Sequence, residues 1–177
     1  QLCYGVAEID ESDGSHLNLK PHHALVNHLE VDHLNYYDDL NAIIEMMTRF
    51  LQENEVLKSV ALNVADEGVR RMLDEVKLCS TTRIFSYAAE SYCPQGVSLD
   101  ELDFTAREII DHGLGISFTA YQRDQVLGRV ELPIPGGYNA ENAAGALAVT
   151  LGGLGVDFEH VQRALNTYEG LENRFTV

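Results

Sequence analysis

The chain has no Gly-Lys pair anywhere among its 177 residues. It therefore lacks a Gly-x-x-x-x-Gly-Lys-Ser/Thr loop, the motif that holds nucleotide phosphates. Basic residues are also scarce: 12 lysines and arginines face 28 aspartates and glutamates, a formal charge of −16. A surface this acidic argues against nucleic acid and anionic membranes as partners. An anionic nucleotide would need Mg²⁺ to screen its phosphates, so the charge favours metal dependence, but it fits an ordinary acidic, soluble surface equally well.

Cysteines and long apolar runs are also few. Cys3, Cys79 and Cys93 are scattered and form no Cys-x-x-Cys pair, which argues against a zinc site or a disulfide framework. No apolar run approaches the roughly 20 residues of a membrane span, and no signal peptide is visible. These absences predict a protein of a reducing cytoplasm.

The rest of the composition is that of an ordinary globular domain, with 45% hydrophobic and 23% charged residues. The length predicts one domain over residues 1–177 that buries a sizeable core. The sequence begins with Gln1 rather than Met and enters an apolar run at once. We expect from this start that the chain is a piece of a longer protein.

The first half alternates strand and helix patterns. Apolar runs predict strands at 2–9, 24–29, 58–64 and 82–87, and spacings of three and four predict amphipathic helices at 38–53 and 66–76. Alternation of this kind implies an α/β fold with a mostly parallel sheet flanked by helices.

The pattern changes after Pro94. Strand-like runs at 104–110, 115–122 and 126–132 are separated by short turns and predict a small antiparallel β unit, about 104–132. Helices are predicted at 140–151 and 157–168, the second with Asp157 as its N-cap.

Acidic and imidazole side chains follow the first two predicted strands. The segment 10–15 reads Asp-Glu-Ser-Asp-Gly-Ser, and Glu30-Val31-Asp32-His33 comes after the second strand. Glu11 is a candidate Mg²⁺ ligand, because a carboxylate at a strand end suits that ion. A polar turn capped by Asp and Ser explains the first segment equally well. His33, just past a buried strand, is the one member of a histidine-rich stretch that we retain as a candidate.

A second candidate site lies at the start of the predicted helix 140–151. Asn139 and Asn142, three residues apart, would place two amides on one helix face, able to pair with a base edge such as adenine. The alternative is that Asn139 only caps the helix. Arg174 stands alone near the end of the sequence, where an arginine is usually a solvated surface residue.

Taken in order, these motifs resemble the central, ATP-binding domain of the Mur ligase family. The segments that carry the resemblance are 10–15 (DESDGS), 32–37 (DHLNYY), 136–142 (GGYNAEN) and 173–175 (NRF). The first is specific and the others moderately so. Together they cover nearly the whole chain, with 168–177 as the start of a hinge to a further domain and the family's N-terminal P-loop unit missing.

The resemblance implies an ATP-dependent carboxylate–amine ligase of peptidoglycan biosynthesis. Its reaction would join L-alanine to UDP-N-acetylmuramate through an acyl phosphate, and addition of a preformed murein tripeptide is the alternative. Glu11 and His33 would bind Mg²⁺ and serve catalysis. Asn139 and Asn142 would face the adenine of ATP, and Arg174 would approach the nucleotide.

Several positions depart from the family pattern. The usual Thr-Asn before the Asp-His motif is Asn27-His28, Asn35 replaces an Asp, Tyr138 replaces a His, and Asn173 replaces an Arg. Without a phosphate loop we expect this chain to bind Mg-ATP weakly, to be inactive alone and to expose a sheet edge that favours self-association. Two other hypotheses stay open: a non-catalytic Mur-like binding module, and a small metal-dependent hydrolase using His28 and His33.

Overall fold

One sheet of six strands organises the part of the chain that the structure describes. The computed structural model describes residues 3–9, 14–30 and 39–170. The strands are β1 (His23–Val26), β2 (Ser59–Asn63), β3 (Arg83–Ala89), β4 (Phe104–Asp111), β5 (Ile116–Gln122) and β6 (Gln125–Leu132). They lie in the sheet in chain order. Neighbours from β1 to β4 run parallel, whereas β4, β5 and β6 are antiparallel.

Helices cover both faces of this sheet. They are α1 (Leu40–Gln52), α2 (Glu67–Glu75), α3 (Tyr138–Leu147) and α4 (Phe158–Asn166), and a π-helical segment (Ala148–Gly153) continues α3. Short 3₁₀ turns occur at Ser15–Asn18, Glu90–Tyr92 and Leu99–Glu101. None of the helices in the described ranges is long and apolar enough to cross a bilayer.

Two apolar clusters hold the layers together. Helices α1 and α2 pack on one face, where Ile43, Ile44 and Met72 are almost fully buried with residues of β1 and β2. The small residues of α3 pack on the other face against Phe104 and Phe118. Burial of apolar surface on both faces is the main stabilising contribution to such a sheet.

Local sequence explains where the first helices begin. Asp39 precedes α1 and its side chain accepts a hydrogen bond from the Ala42 amide (3.0 Å), while Asp66 does the same for α2 from the Val69 amide (2.8 Å). Capping of this kind satisfies amides that have no partner inside the helix. The fold predicted from sequence, a mostly parallel sheet with an antiparallel unit, is confirmed, and most element boundaries agree within about two residues.

The predicted strand at 2–9 is wrong for the part that the structure describes. Residues 3–9 form no strand, and Val6 is 96% exposed. A strand must exchange backbone hydrogen bonds with a neighbour. Among the described residues, no backbone hydrogen bond joins this segment to a strand, so its apolar pattern does not form one there.

Three other predictions need correction. Strand β1 ends at Val26 instead of 29, because the backbone beyond it bonds to side chains: Asn27 accepts from Asn63, and Leu29 donates to Asp66. Helix α3 begins at Tyr138 and changes to π-helix at Ala148. Asp157 directly precedes α4, but its side chain makes no capping hydrogen bond.

Candidate functional site

Polar side chains gather where the parallel strands end. Asn27 follows β1, Asn63 is the last residue of β2, and the first turns of α3 bring Asn139 and Asn142 to the same edge. In open α/β sheets this carboxyl edge is where ligands bind. We call it the carboxyl edge below.

A continuous series of hydrogen bonds crosses this edge. Tyr87 Oη donates to Asn27 Oδ1 (2.8 Å), and Asn27 Nδ2 donates to Asn142 Oδ1 (3.0 Å). Asn142 Nδ2 donates to Asn139 Oδ1 (3.3 Å), and Asn139 Nδ2 donates to the carbonyl oxygen of Pro135 (2.8 Å). We name Tyr87, Asn27, Asn142 and Asn139 the amide relay. It joins the centre of the sheet to the start of α3.

Asn63 fixes the backbone on both sides of the edge. Its Nδ2 donates to the Asn27 carbonyl (2.9 Å), and its Oδ1 accepts from the Ala65 amide (3.0 Å). The side chain is nearly fully buried, at 2% exposure. A buried amide with both ends bonded holds two loops in a fixed arrangement.

A histidine and two carboxylates lie beside the relay. His28 Nδ1 is 2.6 Å from Asp66 Oδ2, and its Nε2 is 3.2 Å from Glu30 Oε2. The side chain of Asp66 is 7% exposed, whereas those of His28 and Glu30 are more than half exposed. Because Asp66 also accepts from the Leu29 and Val69 amides, its carboxylate is held in one orientation.

Glu141 brings a further carboxylate to this edge from the first turn of α3. Its Oε1 atom is buried and has no hydrogen-bond partner among the residues that the structure describes. Burial raises the pKa of Glu141, which a hydrogen bond from Asn63 and the nearby His28 partly oppose. Burial also raises the pKa of the Tyr87 hydroxyl, with Glu141 and Asp66 adding to the effect. Both groups therefore favour their protonated forms more than they would in water.

The structure brings two of the predicted site residues together. Asn139 and Asn142 share one face of α3 and bond to each other. The alternative that Asn139 caps the helix is wrong, because α3 begins at Tyr138 and the Asn139 side chain donates to a carbonyl. Glu11, His33 and Arg174 lie outside the described residues, so their roles stay predictions.

Two described histidines of the N-terminal third make separate contacts. His23 bonds to Ser59 at the opposite edge of the sheet, and His28 bonds to Asp66. Over the described residues no group of three or more histidines, cysteines and carboxylates could hold a metal ion. The hydrolase hypothesis paired His28 with His33, and the second of these lies outside the described ranges.

Sequence reasoning missed the residues that organise the carboxyl edge. From sequence, Asn27 is noted only as a departure from the family pattern. No site role is predicted for Asn63, Tyr87, Asp66 or Glu141. A polar residue that ends an apolar run, such as Asn63 after Val60 to Leu62, is the signal that could have found one of them.

Comparison with known proteins identifies the family. The family model of the Mur ligase middle domain matches residues 4–150. The chain belongs to the Mur ligase family. The match includes both the segment with Glu11 and the pair Asn139 and Asn142.

Curated relatives of this Mur ligase domain are UDP-N-acetylmuramate–L-alanine ligases. The enzyme of Dictyoglomus turgidum is 34% identical over 174 residues, which is 98% of this chain and 34% of that protein. The enzyme of Halorhodospira halophila is 36% identical over 98% of this chain and 33% of its own length. The chain thus spans about a third of the length of the curated relatives it matches.

Solved structures of other Mur ligases share the fold. MurF from Acinetobacter baumannii superposes with a TM-score of 0.72 at 19% identity, covering 93% of this chain and 33% of that one. A murein peptide ligase from Psychrobacter arcticus gives a TM-score of 0.66 at 20% identity, covering 94% of this chain and 36% of its own. At this identity the likeness concerns the fold alone.

Proposed function

We propose that this chain is the central part of an ATP-dependent ligase that joins L-alanine to UDP-N-acetylmuramate. The observation that carries the proposal is the pair Asn139 and Asn142 on one face of α3, at the carboxyl edge of a Mur ligase fold. The alanine ligases that match nearly the whole chain at 34–36% identity support this substrate pair. Such a ligase would act in peptidoglycan synthesis in the bacterial cytoplasm.

The proposed reaction has two steps. The substrate carboxylate attacks the γ-phosphate of ATP, ADP leaves, and an acyl phosphate forms. The amino group of L-alanine then attacks the acyl carbon, and inorganic phosphate leaves as the amide bond forms. Positioning and charge neutralisation dominate phosphoryl transfer, so the residues of the protein mainly hold and orient the reactants.

Named side chains would divide this work. The exposed Asn142 and the half-buried Asn139 would bind the adenine edge. Arg174 would contact the nucleotide. Glu11 would hold Mg²⁺, since a carboxylate oxygen is the ligand type that this ion prefers, and His33 would help to bind Mg²⁺, as the resemblance to the family implies. Mg²⁺ bound there would neutralise phosphate charge.

A phosphate-release assay on the full-length gene product tests the proposal. Reactions contain Mg-ATP and UDP-N-acetylmuramate, with either L-alanine or L-alanyl-γ-D-glutamyl-meso-diaminopimelate. We expect release that depends on L-alanine. Phosphate release only with the tripeptide would contradict the proposal and indicate a murein peptide ligase. No release with either substrate would indicate a non-catalytic binding module.

The chain by itself gives a second test. Because it contains no Gly-Lys phosphate loop, we expect titration calorimetry with Mg-ATP to show no affinity tighter than roughly millimolar, about −4 kcal/mol. Micromolar binding would contradict this expectation.

We also propose that β1 favours self-association of this chain. It is an edge strand of the described sheet, and its Leu25 is 43% exposed. An unpaired edge invites pairing with a second copy. Light scattering after gel filtration should show dimers that Leu25→Lys reduces, and a monomer at all concentrations would contradict the proposal.

A further inference from the structure

The amide relay has one direction along its whole length. Its last acceptor is the carbonyl oxygen of Pro135, which can only accept. Asn139 must therefore turn its NH₂ group towards Pro135 and its oxygen towards Asn142. By the same logic Asn142 turns its oxygen towards Asn27, and Asn27 turns its oxygen towards the hydroxyl of Tyr87. Reversing any one amide would place two donors or two acceptors face to face.

The other end of the relay is held in place by packing around Tyr87. Tyr87 is fully buried, at 0% exposure, and its hydroxyl bonds to Asn27 within the described hydrogen bonds. Gly145 of α3 lies against the ring: a Cβ there would be 2.9 Å from Cζ and 3.0 Å from Oη. The ring has no room to withdraw. Its raised pKa keeps the hydroxyl protonated, so Tyr87 can donate to Asn27 at every physiological pH.

The direction decides what α3 presents to a ligand. An amide has two N–H donors and two oxygen lone pairs. In the described hydrogen bonds, Asn142 uses one of each, and so does Asn139. Each keeps one donor and one acceptor, in an order that the relay fixes. A donor beside an acceptor matches adenine, which offers an amino group next to a ring nitrogen, whereas guanine has a carbonyl oxygen in place of the amino group.

We propose that Tyr87 is a positioning residue, which acts through Asn27 and together with the Pro135 carbonyl at the other end holds the amide orientations of Asn142 and Asn139, and so favours adenine over guanine. The choice of base rests on the proposed function, whereas the fixed orientation does not. Tyr87 itself touches no ligand in this proposal. It lies behind the residues that read the base.

The variant Tyr87→Phe tests the orientation directly. It keeps the buried ring and removes the hydroxyl at the head of the relay. In NMR spectra of the free chain, we expect the side-chain amide resonances of Asn27, Asn142 and Asn139 to shift or broaden. The control is Tyr121→Phe: this ring stacks under Arg107 (4.3 Å), and its hydroxyl takes part in no described hydrogen bond. Unchanged relay resonances in Tyr87→Phe would overturn the proposal.

A second variant protects the test against misfolding. Asn27→Asp keeps the acceptor for Tyr87 but replaces the NH₂ group by an oxygen that faces Asn142 Oδ1. Asn142 must then reverse its amide, which also sets its oxygen against that of Asn139. We expect the Asn142 and Asn139 amide resonances to move in this variant too. If they stay in place in both variants, the relay does not control them.

Nucleotide titration tests the consequence for the base. Titrations of the wild type with Mg-ATP and with Mg-GTP, over the same millimolar range, give an apparent affinity for each nucleotide from the relay resonances. We expect the affinity for ATP to be roughly tenfold higher than that for GTP. Tyr87→Phe should lower this preference to about twofold. A preference that Tyr87→Phe leaves unchanged would overturn the positioning role. No response of the wild type to either nucleotide, even at concentrations well above millimolar, would contradict the proposed base-binding role of Asn139 and Asn142, while the free-chain spectra still decide the orientation.

Discussion

The two edges of the parallel strands are built differently. At the carboxyl edge, side chains bond mainly to backbone that is leaving the strands, as Asn63 does with Asn27 and Ala65. At the amino edge, His23 and Ser59 face each other across neighbouring strands and bond through their side chains (2.8 Å). The first arrangement shapes loops, whereas the second only links strands that the ladder already holds.

The contrast explains why the candidate site lies at one edge and not at the other. Loops held by buried amides can present further polar groups in fixed positions. At the amino edge, Arg83 donates to the carbonyl of Gly153 (2.9 Å) and stacks near Phe85 (5.5 Å), so its contacts tie the π-helical segment to the sheet. The described contacts of that edge join structural elements, whereas at the carboxyl edge the residues that hold the loops lie beside those proposed to bind the nucleotide.

Removing Asn63 should have the largest effect. Asn63→Ala leaves the partly buried Asn27 carbonyl and Ala65 amide without the partners they have in this structure, which costs about 2–4 kcal/mol of unfolding free energy. Urea denaturation measures the loss. The control is Asn166→Ala, which removes an exposed hydrogen bond to the Glu131 amide (2.9 Å) and should cost under about 1 kcal/mol. Equal losses in the two variants would contradict the special role of the carboxyl edge.

The corresponding change at the amino edge should cost less. Ser59→Ala removes one side-chain hydrogen bond, to His23, and leaves the backbone ladder of β1 and β2 intact. We expect a loss of about 1 kcal/mol by urea denaturation. A loss as large as that of Asn63→Ala would show that both edges depend equally on side-chain hydrogen bonds.

The sequence predicts the layers of this fold better than its site. Periodic patterns indicate β2, α1 and the antiparallel strands, because burial on one face or both is local information. The segment 3–9 shows the limit: its pattern is that of a strand, but pairing needs a neighbour that the described residues do not supply.

The site is harder to predict because its contacts join distant parts of the chain. Asn139 and Asn142 could be found from their spacing of three on a helix. Asn27, in contrast, meets Asn142 across 115 positions, and Tyr87 meets Asn27 across 60. No local pattern encodes such pairs, and only the fold brings them together.

Glu141 at the carboxyl edge offers a test with an effect of the opposite sign. Burial raises its pKa above the ordinary 4.5, so the ionised carboxylate weakens the folded state as pH rises through 4.5 and the folded pKa. Glu141→Gln should therefore stabilise the chain at pH 7, by about 0.5 kcal/mol after allowing for partial exposure and the helix dipole. The gain should vanish near pH 3.

Thermal or urea unfolding at pH 7 and pH 3 measures this difference. Glu159→Gln is the matched control, because Glu159 occupies the first turn of α4 and is exposed. Glu141→Gln should be more stable than this control at pH 7. A loss of stability instead would mean that the dipole of α3 and the Asn63 hydrogen bond outweigh burial.

His23 gives the smallest expected effect, at the amino edge. Its pKa lies below the ordinary 6.5, because of burial first and then the charges of Lys58, His22 and Arg83. The unfolded chain therefore takes up the proton first as pH falls, and folding stability declines from about pH 6.5 down to the folded pKa. His23→Gln should flatten this decline by roughly 0.3 kcal/mol in urea unfolding between pH 7 and pH 5, while the exposed control His160→Gln retains it. An unchanged decline in His23→Gln would show that protonation of His23 does not affect folding stability. The contrast between the two edges would then rest on hydrogen bonds alone.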